Sequence, residues 1–335
     1  MKVQKIIIVI TMLLAFMLAL GVFPTTAVAK EKYEEKFEKT VSLAKDGKVY
    51  LKNISGDIQV MTWGKDEVKI DALKISRASS MDRAKENADK VKIEITEESG
   101  VLRIETDYPK MNFGNLNVSV DFKVTIPDHA SADINSVSGD IRIEKAGGAT
   151  KAESVSGDVN LEDIGGTLRG KSVSGDVNVR GAAKGADINS VSGDVAVYDV
   201  VGDADLKTVS GEITAARIKG SIEAESVSGD VELTDVSDAG VVKAKALSGE
   251  VIYLGTINRD GRYEFKSHSG DIRLTIPGSS AFDLEAKTFS GDIDSEFEMT
   301  ISGKLSRKSI KGSVNGGGAV VELNTFSGDV LLRKN

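Results

Sequence analysis

The sequence predicts an all-β protein, a single-stranded parallel β-helix (β-solenoid) with coils of about 18 residues. A Ser-Gly-Asp or Ser-Gly-Glu tripeptide recurs at a constant interval from Ser138 to Ser228. Apolar and polar residues alternate on both sides of each copy, which is typical of half-buried strands rather than helices. Aromatic residues make up only 5% of the chain and there are four prolines. A thin core of stacked parallel strands favours such a composition, because proline lacks a backbone donor.

The tripeptide marks one corner of each predicted coil. The regular copies begin at Ser138, Ser156, Ser174, Ser192, Ser210 and Ser228, looser copies begin at Ser248, Ser269, Ser290 and Ser327, and an early copy begins at Ser55. A repeat this short cannot bury a hydrophobic face alone, so neighbouring copies must stack. Glycine fits the corners because it adopts positive φ without steric cost. At about 4.8 Å per coil, ten coils form a rod roughly 50 Å long.

Each repeat also carries an inward hydroxyl two residues before the tripeptide. The residues at this position are Ser136, Ser154, Ser172, Ser190, Thr208 and Ser226. We interpret them as a structural row and not as nucleophiles, because the chain offers only His129 and His268 as possible histidine bases. The sequence therefore predicts no catalytic residues.

Residues 1–29 have the features of a signal peptide. Lys2 and Lys5 form a basic start, residues 6–20 form an apolar run, and Ala27-Val28-Ala29 is a small-residue cleavage site. We expect cleavage near Ala29 and export to the periplasm, the cell surface or the medium. The alternative is an uncleaved membrane anchor, since residues 6–23 are mostly apolar.

The charge of the chain argues against nucleic acid as a partner. Removal of Lys2 and Lys5 leaves 41 basic and 51 acidic side chains, a net charge of −10. Nucleic acids and anionic membranes attract basic surfaces instead. With no cysteine in the chain, stability must come from burial along the repeats and not from disulfides.

The chain divides into a leader, a cap and the solenoid. Residues 30–39 are charged and poor in apolar residues, and we expect a mobile leader or a short helix there. Residues 40–133 are predicted to form an irregular β cap containing one helix over 80–92, with Ser79 or Ser80 as its N-cap. Residues 134–335 are predicted to form the solenoid.

The C-terminal end is predicted to be open. The copies at Ser290 and Ser327 are separated by about twice the usual interval, and residues 311–314 resemble a degenerate copy between them. No capping element follows the final strand at residues 330–335. We therefore expect a bare strand edge there, available for strand addition or for end-to-end self-association.

The chain resembles a large bacterial family of exported β-strand-repeat proteins of unknown function that are described as candidate adhesins. The resemblance rests on residues 54–60 (ISGDIQV) followed by Trp63-Gly64, on the helix and on a hairpin predicted from strands over 91–96 and 101–106, and on Val124-Thr125-Ile126-Pro127 before the repeats. It covers essentially residues 40–335. It implies a right-handed parallel β-helix and supplies neither an activity nor catalytic residues.

The repeated carboxylate is the one candidate for site chemistry. The candidate residues are Asp140, Asp158, Asp176, Asp194 and Asp230, with Glu212 and Glu250 as variants. One interpretation is a row of weak cation sites. The other, which we prefer, is that each carboxylate accepts backbone N–H bonds at its corner. One carboxylate per coil offers few ligands for a metal ion, so the sequence predicts no dedicated metal site and no cofactor.

Three functions remain open at this point. The first is a non-catalytic, adhesin-like binding or structural protein of the cell envelope, whose partner is an unidentified envelope protein or glycan. The second is a scaffold that assembles through the open end at residues 330–335. The third is a polysaccharide-active β-helix enzyme, which we disfavour because such enzymes combine carboxylates with an aromatic-lined groove. Here Trp63 and Tyr50 lie in the cap and the other tyrosines are scattered.

Overall fold

The computed structural model describes residues 30–109, 116–302 and 306–335. The signal peptide predicted for residues 1–29 lies outside the described residues. In the ranges that are described, no helix is both long and apolar enough to cross a membrane. These ranges hold 29 strands and one helix. The all-β class with one helix is therefore confirmed.

The N-terminal part contains the helix and the first nine strands. Their bounds are β1 (Glu31–Ser42), β2 (Lys48–Ser55), β3 (Ile58–Trp63), β4 (Glu67–Ala78), α1 (Met81–Asp89), β5 (Lys92–Glu98), β6 (Val101–Asp107), β7 (Val118–Pro127), β8 (Ser131–Ser138) and β9 (Ile141–Glu144). The predicted hairpin is formed by β5 and β6, which pair antiparallel. Helix α1 begins after Ser80, whose Oγ accepts a 3.4 Å hydrogen bond from the backbone N–H of Arg83. Such a bond satisfies one free donor of the first turn.

The remaining strands belong to the repeats. Their bounds are β10 (Thr150–Ser156), β11 (Val159–Ile164), β12 (Leu168–Ser174), β13 (Val177–Ala182), β14 (Ala186–Ser192), β15 (Val195–Val201), β16 (Ala204–Ser210), β17 (Ile213–Lys219), β18 (Ile222–Ser228), β19 (Val231–Ser237), β20 (Val241–Ser248), β21 (Val251–Gly255), β22 (Arg262–Ser269), β23 (Ile272–Ile276), β24 (Phe282–Ser290), β25 (Ile293–Ser295), β26 (Thr300–Ile301), β27 (Ser309–Val314), β28 (Ala319–Ser327) and β29 (Val330–Lys334).

The strands form two sheets. Sheet 1 has the order β1-β4-β7-β3-β9-β11-β13-β15-β17-β19-β21-β23-β29-β25, and sheet 2 has the order β26-β27-β24-β28-β22-β20-β18-β16-β14-β12-β10-β8-β2-β6-β5. From β8 to β25 successive strands alternate between the two sheets. Each coil therefore contributes one strand to each sheet, and the Ser-Gly-Asp corner joins the sheet 2 strand to the sheet 1 strand.

Neighbouring coils pair in parallel and in register. Val159 pairs with Val177 in sheet 1, and Ser154 pairs with Ser172 in sheet 2. Inward residues of both sheets form one continuous core along the stack. In sheet 1 most of its side chains are β-branched residues or leucine, and in sheet 2 it includes more small residues, such as Ala152 and Ala224. The thin core explains why so few aromatic residues are needed.

The core widens in the later coils. The tripeptides at Ser248 and Ser269 follow their predecessors at a longer interval than those of the regular coils. These longer coils enclose Tyr253, Tyr263 and Phe265, which are fully buried. The hydroxyl of Tyr253 donates a 2.7 Å hydrogen bond to the carbonyl oxygen of Thr256. The extra chain length therefore accommodates larger rings with a satisfied polar group.

The N-terminal segment is a strand, so the expectation of a mobile leader or helix over 30–39 is wrong. Strand β1 pairs antiparallel with β4 along its whole length. Its partly buried residues include Tyr33, Phe37 and Val41, and a spacing of four suits both a helix and a strand face. The backbone N–H and C=O groups at the edge of β4 require hydrogen-bond partners. Residues 31–42 provide them only when they form a strand. The charged residues of β1 then protect the new edge.

The first coil of the stack lies within the segment that the sequence assigns to the cap. Strand β2 pairs with β8, and β3 pairs with β9, both in parallel. The chain leaves the stack after β3, forms β4 to β7 at the N-terminal end, and returns at β8. Strand β6 lies beside β2, and β7 beside β3.

The open C-terminal edge expected at residues 330–335 is wrong. Strand β29 lies between β23 and β25 and pairs with both. Strand β28 likewise lies between β22 and β24. The chain first builds the outermost coil, β24 and β25, and then inserts its last coil beneath it. Residues 311–314 belong to β27, which pairs antiparallel with β24 as a cover and is not a degenerate repeat.

Candidate functional site

The Ser-Gly-Asp corners stack directly on one another. Gly175 has a φ of +151°. A Cβ atom on Gly175 would lie 2.3 Å from the carbonyl oxygen of Gly157 in the preceding coil. Both the backbone conformation and the close approach require glycine at this corner.

The corner carboxylates form a row that we call the aspartate ladder. Oδ1 of Asp140 accepts a 2.9 Å hydrogen bond from the backbone N–H of Asp158, and Asp158 accepts in the same way from Asp176. The same link occurs from Asp57 to Asp140, from Asp176 to Asp194 and from Asp194 to Glu212. Each carboxylate thus binds the next coil, which is the structural role that the sequence favours.

Inward hydroxyls form a second row beside the ladder. Oγ of Ser172 donates a 3.1 Å hydrogen bond to the carbonyl oxygen of Gly157, and Thr208 donates at 3.0 Å to Gly193. The corner carbonyls are thereby satisfied although they are turned into the solenoid. Ser136 is an exception, because Asn53 Nδ2 already donates to the carbonyl oxygen of Gly56 at 3.0 Å.

The structure places the predicted cation candidates at one corner of successive coils but gives each a backbone partner. Asp230 Oδ1, for example, accepts from the N–H of Glu250 at 2.6 Å. Among the residues described, no group of three or more acidic or histidine side chains could hold a metal ion. Cation binding by Asp140, Asp158, Asp176, Asp194 and Asp230 stays a prediction.

An exposed apolar row, which we call the valine seam, runs beside the aspartate ladder. It consists of the residue immediately before each tripeptide: Val137, Val155, Val173, Val191, Val209, Val227, Leu247, His268, Phe326 and Phe289 in spatial order. The six valines are 42–49% exposed, and Phe289 is 68% exposed. The rings of His268, Phe326 and Phe289 stack with centroid separations of 4.9 and 4.8 Å. The sequence analysis missed this row, although the apolar residue before each serine was a readable signal.

The valine seam has opposite charges on its two sides. The aspartate ladder lies on one side. On the other side, the next outward row of sheet 2 carries six lysines and two glutamates, and we call it the lysine row: Lys52, Asn135, Glu153, Lys171, Asn189, Lys207, Glu225, Lys245, Lys266, Asn324 and Lys287. The register of the strands therefore gives the lysine row a net positive charge, opposite the acidic ladder, although the row also contains Glu153 and Glu225.

A groove follows the other corner, where the sheet 2 strands begin. It has a volume of about 870 Å³ and extends from Lys48 and Ser131 to Val241. Its floor consists of small residues and hydroxyls, including Thr150, Thr167 and Ser221. Eight strands of sheet 2 pass beneath it, so it is roughly 34 Å long at one strand spacing per coil.

Charged side chains of both signs line this groove, and most of them are paired. Nε of Arg169 lies 2.8 Å from Asp187 Oδ2. Lys48 Nζ lies 2.6 Å from Asp133 Oδ2. Lys184 also lines the groove and forms no ion pair among the described residues. The groove therefore offers a polar surface of mixed charge with at least one unpaired cation.

The pKa of Asp133, which lines the groove, is set by its burial and by its neighbours. Burial favours its protonated form, but Lys48 and Asn135 donate hydrogen bonds of 2.6 and 3.0 Å to the carboxylate. Together with the positive charges of Lys48 and Lys151, these bonds outweigh burial and lower the pKa of Asp133 below its ordinary value of 3.8. Asp133 is therefore ionised at neutral pH, at the end of the groove where Lys48 also lies.

The stacked coils and the paired side chains define a β-solenoid repeat protein. The sequence profile of the Toastrack family, DUF4097, matches residues 47–253 and 235–333. The chain belongs to this family, and the predicted resemblance to a family of β-repeat proteins of unknown function is confirmed.

Solved structures of similar proteins come from several bacteria. A candidate adhesin from Parabacteroides distasonis is 13% identical, with a TM-score of 0.44, covering 90% of this chain and 97% of that one. A candidate adhesin from Bacteroides fragilis is also 13% identical, with a TM-score of 0.34 and coverages of 89% and 97%. A candidate lipid-binding protein from Parabacteroides distasonis is 11% identical, with a TM-score of 0.32 and coverages of 90% and 97%. No curated protein matches the chain.

Proposed function

We propose that the protein is a non-catalytic, exported, adhesin-like β-solenoid of the cell envelope, which binds an extended segment of a partner protein in the groove at its second corner. The observation that carries this proposal is the continuous groove of about 870 Å³ along eight strands of sheet 2. Its volume lies within the range of ligand sites, on the order of 300–1,000 Å³.

The shape and charge of the groove favour a polypeptide. A groove roughly 34 Å long accommodates about ten residues of extended chain at 3.3 Å per residue. Its lining alternates between acidic residues such as Asp187 and basic residues such as Arg169 and Lys184, which suits a partner of mixed charge. None of the lining residues is aromatic, so the stacking surface that sugar-binding grooves use is missing from it.

The side chains of the groove support a binding role rather than catalysis. The carboxylates of Asp133, Asp187 and Asp205 each lie within 3 Å of a lysine or arginine nitrogen. A general acid in a glycosidase requires a carboxyl group that is protonated near neutral pH. The pKa of Asp133 is instead lowered by the hydrogen bonds from Lys48 and Asn135, so this carboxyl group is not held in the protonated form.

A photo-crosslinking experiment tests this function. Benzoylphenylalanine at Thr167, in the groove, should form a covalent adduct with an envelope protein in the source cells, and the same probe at Thr234, in β19 of sheet 1, should not. Arg169→Ala with Lys184→Ala should reduce the adduct, whereas Lys219→Ala, outside the groove, should leave it unchanged. A glycan adduct, the same adducts from both positions, or released glycan fragments would overturn the proposal.

We also propose that the solenoid is right-handed and that its regular coil has the length of the interval from Asp140 to Asp158, which is 18 residues. Parallel strands joined by a crossover connection are right-handed in nearly all proteins. The hydrogen bond between these two residues supports the coil length, because it joins equivalent positions of neighbouring coils. A crystal structure would test both statements directly.

A further inference from the structure

The valine seam is too regular to be a set of scattered exposed residues. Single exposed apolar side chains are normal on protein surfaces. Here every coil from β8 to β25 places one at the same corner, with His268 as the one substitution. At one strand spacing per coil, the row is roughly 43 Å long. Contiguous apolar patches of this kind mark interaction surfaces.

The size of this face is suited to another protein surface of the same length. A strip roughly 43 Å long and about 10 Å wide covers on the order of 400 Å². With the lysine row and the aspartate ladder included, the face approaches the roughly 800 Å² that each partner contributes to a standard interface. An apolar centre with a charged rim is also the usual anatomy of such an interface.

We propose that the valine seam binds a second copy of this chain, side by side and parallel, with a two-fold axis along the rod. A rotation about that axis brings the lysine row of each copy opposite the aspartate ladder of the other. Antiparallel rods would instead place lysine row against lysine row and carboxylates against carboxylates. Charge complementarity therefore selects the parallel dimer.

Lys171 is the most informative charge in this arrangement. It forms no ion pair among the residues described, whereas Lys207 and Lys245 already pair with Asp205 and Glu225 of the same copy. The parallel two-fold places Lys171 at the same level as Asp176 of the second copy, because the two residues lie in one coil. The seam lies at the opposite end of the sheet 2 strands from the groove, so this inference is independent of the proposed partner binding.

Cysteine crosslinking of the exported chain tests the orientation, because the native sequence has no cysteine. The variants Val155→Cys, Val209→Cys and Phe326→Cys sample both ends and the middle of the seam. In the parallel dimer each cysteine faces the same cysteine of the second copy. All three variants should therefore form disulfide-linked dimers on mild oxidation. Val201→Cys, which is 55% exposed outside the seam, should remain monomeric.

Two other outcomes of that experiment overturn the proposal. Linkage of Val209→Cys alone would indicate antiparallel rods, and linkage of Val201→Cys as readily as the seam variants would indicate random collision. Sedimentation equilibrium gives an independent readout. Val191→Arg should convert the dimer to a monomer, Lys171→Glu should raise the dimer Kd roughly tenfold or more, and Val201→Arg should do neither. A monomeric unmodified chain at micromolar concentration would also overturn it.

Discussion

The backbone N–H of Asp329 donates a 2.8 Å hydrogen bond to Oδ1 of Asp271, although the two residues are 58 positions apart in the sequence. Asp292, which follows Asp271 much sooner in the sequence, is one coil further away and donates to Asp329 at 2.8 Å. The corner bond is therefore the same whether consecutive or distant coils meet. Because the corner bond is the same in both cases, the last coil can insert beneath an earlier one without breaking the aspartate ladder.

The aspartate ladder has a break at Glu212 that a substitution should repair. Glu212 donates its N–H to Asp194 Oδ1 at 2.8 Å, but within the described coils its longer side chain gives no matching bond to the N–H of Asp230. Glu212→Asp should provide that acceptor and raise the free energy of unfolding by about 1 kcal/mol. The reverse change, Asp194→Glu, should remove an existing bond and lower stability by a similar amount. Denaturant unfolding of both variants measures the two effects, and equal signs would contradict the role given to the ladder.

The hydroxyl row is interrupted at Ala246, which occupies the position of Ser226 and Ser267 in neighbouring coils. Those serines donate to the carbonyl oxygens of Gly211 and Gly249 at 3.0 and 2.9 Å. Ala246→Ser should donate to the equivalent carbonyl of Gly229 and stabilise the protein by about 0.5–1.5 kcal/mol.

The matched control for this change is Ala244→Ser. Ala244 is fully buried in the apolar core, so a hydroxyl there would lose its water partners and cost about 1–3 kcal/mol. Thermal unfolding of the two variants should therefore shift in opposite directions. A destabilised Ala246→Ser variant would show that the corner carbonyl does not need the hydroxyl.

Corner glycines should not tolerate a side chain. Gly175→Ala would place Cβ 2.3 Å from the carbonyl oxygen of Gly157 in an unfavourable backbone conformation, and it should cost about 3 kcal/mol or more. Gly64→Ala is the matched control, because no described atom lies within 4 Å of the position that its Cβ would take. Its stability should change by less than about 1 kcal/mol. Chemical denaturation compares the two, and equal tolerance would contradict the stacked-coil corner.

Acid should remove a contribution from Asp133. Its pKa is lower in the folded chain than in the unfolded chain, so its stabilisation is present above the ordinary value of 3.8 and is lost as the pH falls through the folded value. Lys48→Met should lower stability at pH 7 and weaken the decline below about pH 4. Lys219→Met removes the 3.6 Å ion pair between the largely exposed side chains of Lys219 and Asp238. It should change neither the stability at pH 7 nor the decline in acid. Thermal unfolding from pH 2 to 7 measures the profiles, and parallel curves for Lys48→Met and the unmodified chain would refute the role of this pair.

The repeat could be predicted from the sequence because the residues that form the corner of a coil all lie within one tripeptide. The tripeptide specifies the glycine conformation, the carboxylate and the strand alternation together, and these are found at Gly175 and Asp176. The order of the last coils could not be predicted, since the copies at Ser290 and Ser327 fit either position equally well. The apolar residue of the valine seam is visible in each repeat, but the continuous row and the groove form only when the coils stack.

The inserted last coil predicts the effect of a proline at Val330. The N–H of Val330 donates a 2.9 Å hydrogen bond to the carbonyl oxygen of Asp292 in the outermost coil. Val330→Pro should remove this bond from a strand that is paired on both sides, and it should lower the free energy of unfolding by about 3 kcal/mol or more. Leu331→Ala, on the outward face of the same strand, should cost much less.

Hydrogen exchange should show faster exchange in β29 and in β25, which pairs only with β29 in the described part of sheet 1. If the proline variant kept full stability, β29 would have to be an edge strand after all.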